Sequence, residues 1–157
     1  MNCAPQKKSL VSAMICAQDG FYITALESIL MKRLSLQQVF SVETLDQAID
    51  LLAAAEDGVD LALFDLRTPG LDSRNAIQAI RSGFPETRVV LIAASHSRQD
   101  VLTSLDAGVH GFLNRDICVT GLVEALSHIG RGQIYVPPFL ACVTPGFEPD
   151  IDTELPA

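Results

Sequence analysis

The sequence predicts a doubly wound α/β fold in which five β-strands alternate with five α-helices. Short apolar runs alternate with longer segments whose apolar residues recur at helical spacing. The run 89–94 is almost wholly apolar, as expected for a parallel strand that is covered on both faces. Each connection between successive strands is long enough for a crossover helix, which parallel pairing requires. Helices on both faces of an open sheet are the natural outcome.

Each strand is predicted from a short run that is rich in apolar and β-branched residues. The first run ends before a loop that contains Gly20, the third ends at Phe64, and the last begins after Gly108. The predicted strands are 11–17, 39–42, 59–64, 89–94 and 110–113.

The helices are predicted from apolar residues spaced three and four apart, and their ends are predicted from turn signals. Leu26 and Leu30 mark the apolar face of the first helix. Gly58 ends the second helix, Pro85 prevents the third from continuing, and Gly108 supplies a left-handed cap for the fourth. The predicted helices are 21–34, 45–55, 74–83, 98–107 and 117–130.

Composition indicates one globular domain and excludes several classes of function. The 157 residues are 48% hydrophobic and 19% charged, which suits a domain with a sizeable core. The formal net charge of -8 disfavours direct nucleic-acid binding, because such binding needs an excess of cations. No apolar run approaches the roughly 18 residues that a membrane span needs. A cytoplasmic protein without membrane contact is therefore expected.

The four cysteines indicate neither a metal centre nor a disulfide framework. They lack Cys-x-x-Cys spacing, and no histidine stands at ligand spacing from them. Cys16 and Cys118 fall within apolar patterns and are expected to be free thiols in the core.

Asp65 is the residue that most strongly suggests a functional site. It closes an apolar strand and precedes the turn at Pro69 and Gly70. In open parallel sheets, side chains at the carboxyl ends of the strands line the crevice where ligands bind. The alternative is an aspartate that only ends a strand and caps a loop. A dinucleotide site is excluded because the loop after the first strand, residues 17–21, carries one glycine and not three.

Two stretches carry a resemblance to a known family. Residues 60–72 read DLALFDLRTPGLD and residues 107–116 read AGVHGFLNRD, followed by LVEAL at 122–126 and GQIYV at 132–136. Over about residues 9–131 the chain resembles the receiver domains of two-component response regulators of the NarL/FixJ/LuxR type. The resemblance implies a flavodoxin-like (βα)₅ sheet with strand order 2-1-3-4-5.

A polar start and a proline-rich, acidic end divide the chain into three segments, and the resemblance fits this division. An N-terminal tail covers residues 1–9, the receiver domain covers 10–131, and a proline-rich linker covers 132–157. In the implied arrangement the linker leads to a helix-turn-helix DNA-binding domain that lies outside this chain.

The resemblance places Asp65 at the phospho-acceptor position. In such receivers Mg²⁺ is held by this aspartate, by an acidic pair after the first strand, and by the backbone carbonyl at the position of Arg67. The acidic pair falls at Ala17 and Gln18, or at Gln18 and Asp19 after a shift of one residue. At least one carboxylate is then missing, so Mg²⁺ is expected to bind weakly or not at all, and no other cofactor is expected. The Arg67 side chain is free of this role, and it could instead screen the charge of Asp65.

The implied phosphate-binding positions also depart from the family pattern. The switch serine or threonine falls at Ala93, which has no hydroxyl, although Ser95 or Ser97 could substitute for it. The switch aromatic falls at Phe112. The phosphate-binding lysine falls at Arg115, which keeps the charge but has a bulkier, forked head group.

These departures predict a non-enzymatic receiver with a degenerate pocket that acts as a dimerisation or docking module. An ion pair between Arg115 and Asp65 is expected to substitute for phosphorylation, and the alternative is an exposed Arg115 that serves only solubility. The conventional alternative for the domain is phosphorylation of Asp65 by a histidine kinase. A more remote alternative is a flavodoxin-like domain that binds a small molecule.

The expected partners are a histidine kinase, a second copy of this chain, and DNA only through the helix-turn-helix domain. A homodimer is expected because the last two helices offer more apolar side chains than one face can bury. These side chains are Leu102, Leu105, Leu122, Val123 and Leu126. The resemblance implies pairing through the last helix and the first, or through the face of helix four with strand five.

Overall fold

The computed structural model describes residues 10–71, 74–94 and 97–137, so the predicted tail 1–9 and most of the predicted linker lie outside the described part. The strands are β1 (Ser12–Cys16), β2 (Gln38–Val42), β3 (Leu61–Asp65), β4 (Arg88–Ala93) and β5 (Gly111–Asn114). The helices are α1 (Gly20–Arg33), α2 (Leu45–Ala54), α3 (Arg74–Gly83), α4 (Arg98–Ala107) and α5 (Val119–Gly130). Within these ranges, no helix is both long enough and apolar enough to cross a membrane.

The five strands form one parallel sheet in the order β2-β1-β3-β4-β5, which confirms the predicted topology. β3 is the central strand, and it pairs Phe64 with Cys16 of β1 and Asp65 with Ile92 of β4. All five residues of β3 are buried. The strand runs one residue beyond its predicted end because Asp65 still pairs with Ile92. The carboxylate is therefore anchored to the sheet itself.

The sheet separates two apolar layers, one on each face. Along β3, Ala62 and Phe64 join the layer beneath α2, α3 and α4, whereas Leu61 and Leu63 join the layer beneath α1 and α5. This alternation follows from the two-residue period of a strand. The predicted doubly wound arrangement is confirmed, because helices cover both faces.

Local signals fix the ends of two helices and the turn after β3. Asp19 caps α1 by accepting hydrogen bonds from the backbone N–H groups of Phe21 and Tyr22. Gly108 caps α4 with a φ of 106°, in the left-handed region, which confirms the predicted cap. Gly70 has a φ of 92° in the turn that follows Asp65. A side chain at either glycine would be strained.

Cys16 is buried as predicted, but the prediction that Cys118 is a core thiol is wrong. Cys118 is exposed, and it caps α5 by accepting a hydrogen bond from the backbone N–H of Gly121 at 3.4 Å. The helix begins at Val119, two residues after its predicted start. Cys118 therefore lies outside the helical face that the apolar pattern assigned to it.

The predicted surplus of apolar side chains on α4 and α5 is also wrong for three of its five members, which pack within the domain. Leu122 and Leu126 are buried in the layer between the sheet, α1 and α5. Leu105 packs against the opposite layer, and Leu102 is exposed. The apolar pattern predicted too many uncovered side chains, because α5 contacts both the sheet and α1 and therefore buries a wider face.

His110 links β4 to the chain at the amino end of β5. The ring Nδ1 of His110 accepts a hydrogen bond from the backbone N–H of Val89 at 3.1 Å. The backbone N–H of His110 donates to the carbonyl of Val89 at 2.7 Å. On the other side, its carbonyl accepts from the N–H of Tyr135 at 3.0 Å. Burial, and then the charges of Arg81 and Arg88, lower the pKa of His110 to about 4.

The chain after α5 turns back and lies along the outer edge of β5. Tyr135 forms an isolated parallel bridge with Gly111, and its carbonyl accepts a hydrogen bond from the N–H of Phe112 at 3.2 Å. The first residues of the segment predicted as a linker therefore contact the sheet. The boundary at 132 stays a prediction.

We predict that His110 makes the fold less stable below pH 6.5. The imidazole is neutral in the folded chain, whereas in the unfolded chain it gains a proton as the pH falls through about 6.5. Its contribution to stability is therefore lost between about pH 6.5 and 4. His110→Asn keeps an acceptor for Val89 but does not titrate, so the pH 7 to pH 5 loss of unfolding free energy should shrink by about 1 kcal/mol, after discounting for partial exposure.

Urea unfolding of both proteins at the two pH values measures this difference. His128→Gln is the matched control, because His128 contacts the side chains of Gln133 and Arg131 and not a strand backbone. An equal pH dependence in wild type and His110→Asn would contradict the assignment.

Candidate functional site

Asp65 lies at the carboxyl end of the central strand, at the edge where the sequence predicted a functional site. Its side chain is only 6% exposed. It borders a cleft of about 340 Å³ whose other lining residues are Gln18, Asp19, Arg67 and Thr68. These residues come from the loops that follow β1 and β3, which end side by side in the sheet. The cleft is thus the crevice that an open parallel sheet forms above its carboxyl edge.

Arg115 is brought to Asp65 by the end of β5. Its backbone N–H donates to the carbonyl of Ala93 at 2.9 Å, which extends the pairing of β4 and β5 by one residue. Its guanidinium NH1 then donates to Asp65 Oδ2 at 2.9 Å, and the Arg115 side chain is only 15% exposed. The predicted ion pair is confirmed, and the alternative of an exposed, solubilising Arg115 is wrong.

The same guanidinium also contacts a second carboxylate. Its NH2 group donates to Asp19 Oδ2, so Arg115 bridges Asp19 and Asp65. Asp19 is more exposed than Asp65, and it uses its other oxygen to cap α1. One aspartate therefore positions both the first turn of α1 and the arginine.

Tyr22 completes the contacts of Arg115. The guanidinium carbon Cζ lies 4.1 Å from the centre of the Tyr22 ring, within the range of a cation–π interaction. Burial is the main cause that raises the pKa of Tyr22 to about 12, and the Arg115 charge opposes part of that rise. The phenol is therefore neutral at physiological pH, and the ring meets the cation through its face.

Arg67 is the second cation at Asp65, and it differs from Arg115 in burial. Its backbone N–H donates to Asp65 Oδ1 at 2.9 Å, and its guanidinium contacts both carboxylate oxygens at 3.3–3.4 Å. The side chain is 68% exposed. The hydrogen bond to Asp65, and then the charge of Asp65, raise the pKa of Arg67 above its usual value. Both oxygens of Asp65 are therefore already engaged by groups of the chain.

The residues at this edge do not fit a Mg²⁺ site. Mg²⁺ requires an octahedron of oxygen ligands, usually with carboxylates that offset its charge. The carboxylates at hand, Asp65 and Asp19, both hold Arg115, while Ala17 is buried and Gln18 offers only an amide. In the described ranges, no cluster of three or more His, Cys, Asp or Glu side chains could hold a metal ion.

The remaining predicted positions are placed near the cleft or in the core. Ala93 ends β4 and is buried. The Ser97 hydroxyl caps α4 by accepting from the N–H of Asp100, so it is already engaged, and Ser95 lies outside the described residues. Phe112 is fully buried in the layer beneath α2, α3 and α4. The functional roles of these positions stay predictions.

Two residues at the site were missed by sequence reasoning, Tyr22 and Thr68. The Thr68 hydroxyl donates to the carbonyl of Cys16 at 3.2 Å and links the loops after β1 and β3. Burial is the main cause that raises the pKa of Cys16 to about 11, and the charge of Asp65 adds to it. Tyr22 lies three residues after Asp19, a spacing that puts two side chains on one side of a helical turn. That spacing is the only sequence signal for Tyr22.

An open parallel sheet of order 2-1-3-4-5, with an aspartate at the carboxyl end of its middle strand, is the arrangement expected of a receiver domain. The chain belongs to the response regulator receiver domain family, whose model matches residues 14–127.

Relatives of known name and structure agree with this assignment. The glycerol metabolism activator of Pseudomonas putida is 27% identical over 125 residues, which are 80% of this chain and 56% of that protein. The probable transcriptional regulatory protein NarL of Mycobacterium tuberculosis is 32% identical over 108 residues, which are 62% of this chain and 50% of that protein. The chain thus spans about half the length of these relatives.

A solved structure resembles this chain closely in fold. The signal receiver domain of the response regulator NarL from Mycobacterium tuberculosis superposes on this chain with a TM-score of 0.70 at 28% identity. The match covers 80% of this chain and 99% of the NarL domain. The predicted resemblance to NarL-type receivers is confirmed. It favours the receiver interpretation over the small-molecule-binding alternative.

We predict that Arg115 stabilises the fold and that Arg67 does not. Arg115→Ala leaves the buried Asp65 carboxylate without its buried partner, so the unfolding free energy should fall by about 2 to 3 kcal/mol. Arg67→Ala removes an exposed cation from the same carboxylate, and it should leave the stability unchanged within error. Urea unfolding of the two variants compares them directly. Equal losses would mean that the burial of Arg115 does not matter.

Proposed function

We propose that this chain is a receiver domain that works without phosphorylation, as a dimerisation or docking module. In this module Arg115 binds Asp65, the aspartate at the phospho-acceptor position. The observation that carries the proposal is the 2.9 Å contact between Arg115 NH1 and Asp65 Oδ2, both largely buried. In this role the domain is a pseudo-receiver, which presents a constant surface to its partners.

The chemistry of phosphoryl transfer supports this proposal. An aspartate that accepts a phosphoryl group needs a carboxylate oxygen free for in-line attack and a metal ion to neutralise the charge that develops. At Asp65 one oxygen binds Arg115 and the other accepts the Arg67 N–H. Attack would therefore compete with contacts that already use both oxygens. Ala93 also offers no hydroxyl for the phosphoryl oxygens.

The second candidate is a conventional receiver that a histidine kinase phosphorylates on Asp65. The observation that favours it is the retained pair of Asp65 and a cation at position 115, since a guanidinium binds phosphate oxygens well. In that case Arg115 would release Asp65 and bind the phosphoryl group. The two candidates differ in whether Asp65 can be modified at all.

We further propose that the full-length protein regulates transcription through a segment beyond this chain. The probable regulatory protein NarL and the glycerol metabolism activator are about twice the length of the matched region. The net charge of -8 argues that another segment contacts DNA. A cytoplasmic location would follow from such a role.

We predict that small phosphodonors do not modify Asp65 in the wild-type chain. Acetyl phosphate or beryllofluoride with Mg²⁺ should leave the intact mass and the fluorine NMR spectrum unchanged, because the site lacks a metal-binding set. The double substitution Gln18→Asp with Arg115→Lys adds a carboxylate to the cleft. It also removes the guanidinium that bridges Asp19 and Asp65. This double variant should bind Mg²⁺ at least about tenfold more tightly, since a hard cation gains a charged ligand.

The control for this experiment is Asp65→Asn, which cannot form an acyl phosphate at position 65. Rapid stoichiometric modification of the wild type that Asp65→Asn abolishes would establish the conventional receiver.

We predict a homodimer whose formation does not depend on phosphodonors. Leu102 of α4 is an exposed leucine, and symmetric pairing is the usual way to cover such a face. Sedimentation at micromolar protein should give the same dimer with and without acetyl phosphate. Leu102→Lys should weaken it, whereas Val11→Lys, at the exposed position just before β1, is the control. A monomer under both conditions would remove constitutive pairing from the proposal.

A further inference from the structure

We propose that Asp65, Asp19 and Tyr22 together form a binding site for a guanidinium cation, with Arg115 as its built-in ligand. Tyr22 is the residue that makes this site prefer guanidinium to an ammonium group or Mg²⁺. The inference rests on the proposed function, because it concerns the same cleft. Phosphorylation experiments do not test which cation this cleft prefers.

The first part of the site is a pair of carboxylates set apart by the width of a guanidinium. Arg115 NH1 donates to Asp65 Oδ2 at 2.9 Å, while NH2 of the same head group donates to Asp19 Oδ2. A planar fork with several donors can bridge two acceptors in this way. A Lys ammonium is a compact point charge, and it cannot reach both carboxylates in the same geometry.

The second part of the site is the face of Tyr22. The guanidinium carbon lies 4.1 Å from the ring centre, so the ring covers the side of the cation that the carboxylates leave open. A guanidinium is weakly hydrated and stacks on aromatic faces. Mg²⁺ retains its water shell and requires oxygen ligands on all sides, which an aromatic face cannot supply.

The third part of the site is its charge balance. Asp65 and Asp19 bring two negative charges into contact with the one positive charge of Arg115. Arg67 contacts Asp65 from the solvent side and is mostly exposed. Removal of the Arg115 side chain therefore leaves an anionic recess lined by an aromatic ring, and this recess should take up a small guanidinium ion from solution.

Chemical rescue of Arg115→Ala tests the proposal. The full chain is titrated with methylguanidinium, methylammonium or Mg²⁺ at matched ionic strength, and the thermal unfolding midpoint is recorded. Methylguanidinium should raise the midpoint of Arg115→Ala saturably, by about 3 to 5 °C at a tenfold excess over its Kd. Methylammonium and Mg²⁺ should each give less than half of that shift. The wild type, whose site is filled, is the control for general solvent effects and should show no such rise.

Tyr22 is tested in the same background. Arg115→Ala combined with Tyr22→Leu should respond to methylguanidinium no more than to methylammonium. Arg115→Ala combined with Asp65→Asn should respond to neither. Tyr135→Leu is the matched control for loss of a tyrosine, because Tyr135 lies at the outer edge of β5 and should leave the selectivity intact.

A second measurement covers the case in which Arg115→Ala does not fold. In the wild type, the guanidinium NH protons of Arg115 should give slowly exchanging NMR signals, and Tyr22→Leu should accelerate their exchange at least about tenfold, whereas Tyr135→Leu should not.

Several results would overturn the proposal: equal rescue by all three cations, stronger rescue by Mg²⁺, or selectivity and proton exchange that do not change in the Tyr22→Leu variants. Modification of wild-type Asp65 by acetyl phosphate would overturn the phosphorylation-independent function and leave these titrations as they stand.

Discussion

The buried ion pair between Arg115 and Asp65 organises the carboxyl edge of the sheet. β3 presents the carboxylate, and the residue after β5 presents the guanidinium, so the pair ties together two strands that β4 separates. A buried carboxylate without a partner would cost several kcal/mol. Here one oxygen meets Arg115 and the other meets the N–H of Arg67. Asp19 and Tyr22 then hold the guanidinium from the side of α1.

Under the proposed function, the receiver fold keeps Asp65 in constant contact with its own arginines and does not use it as a reaction centre. A conventional site must leave its aspartate accessible to a metal ion and a phosphodonor, and its charge then varies with the state of a kinase. Under the proposed function, the neutralising cation belongs to the chain and is always present. The signal that such a domain transmits would then be the presence of its partners. The face of α4 and the start of α1, with Asp19 and Tyr22, would be the surfaces whose geometry these contacts keep constant.

Much of the fold followed from the sequence, because strand and helix periods and the need for crossovers leave few topologies. The end of an apolar strand pointed to Asp65, the resemblance to receivers added Arg115, and the missing carboxylate of the acidic pair suggested their contact. Cys118 was misplaced because a shift of two residues in the start of α5 separates a core position from a cap. Tyr22 was missed because its contact with Arg115 joins the two ends of the domain. No local pattern encodes such a contact, and only the sheet order brings the start of α1 close to the end of β5.

A double-mutant cycle between Arg115 and Asp65 tests the central claim most directly. The unfolding free energies of the wild type, Arg115→Ala, Asp65→Asn and the double variant give the coupling between the two side chains. A buried pair that holds the edge of the sheet together should show a favourable coupling of about 1 to 3 kcal/mol, with the double variant less destabilised than the sum of the single variants. Additive effects, with a coupling near zero, would contradict the claim that the Arg115–Asp65 ion pair holds the carboxyl edge of the sheet together.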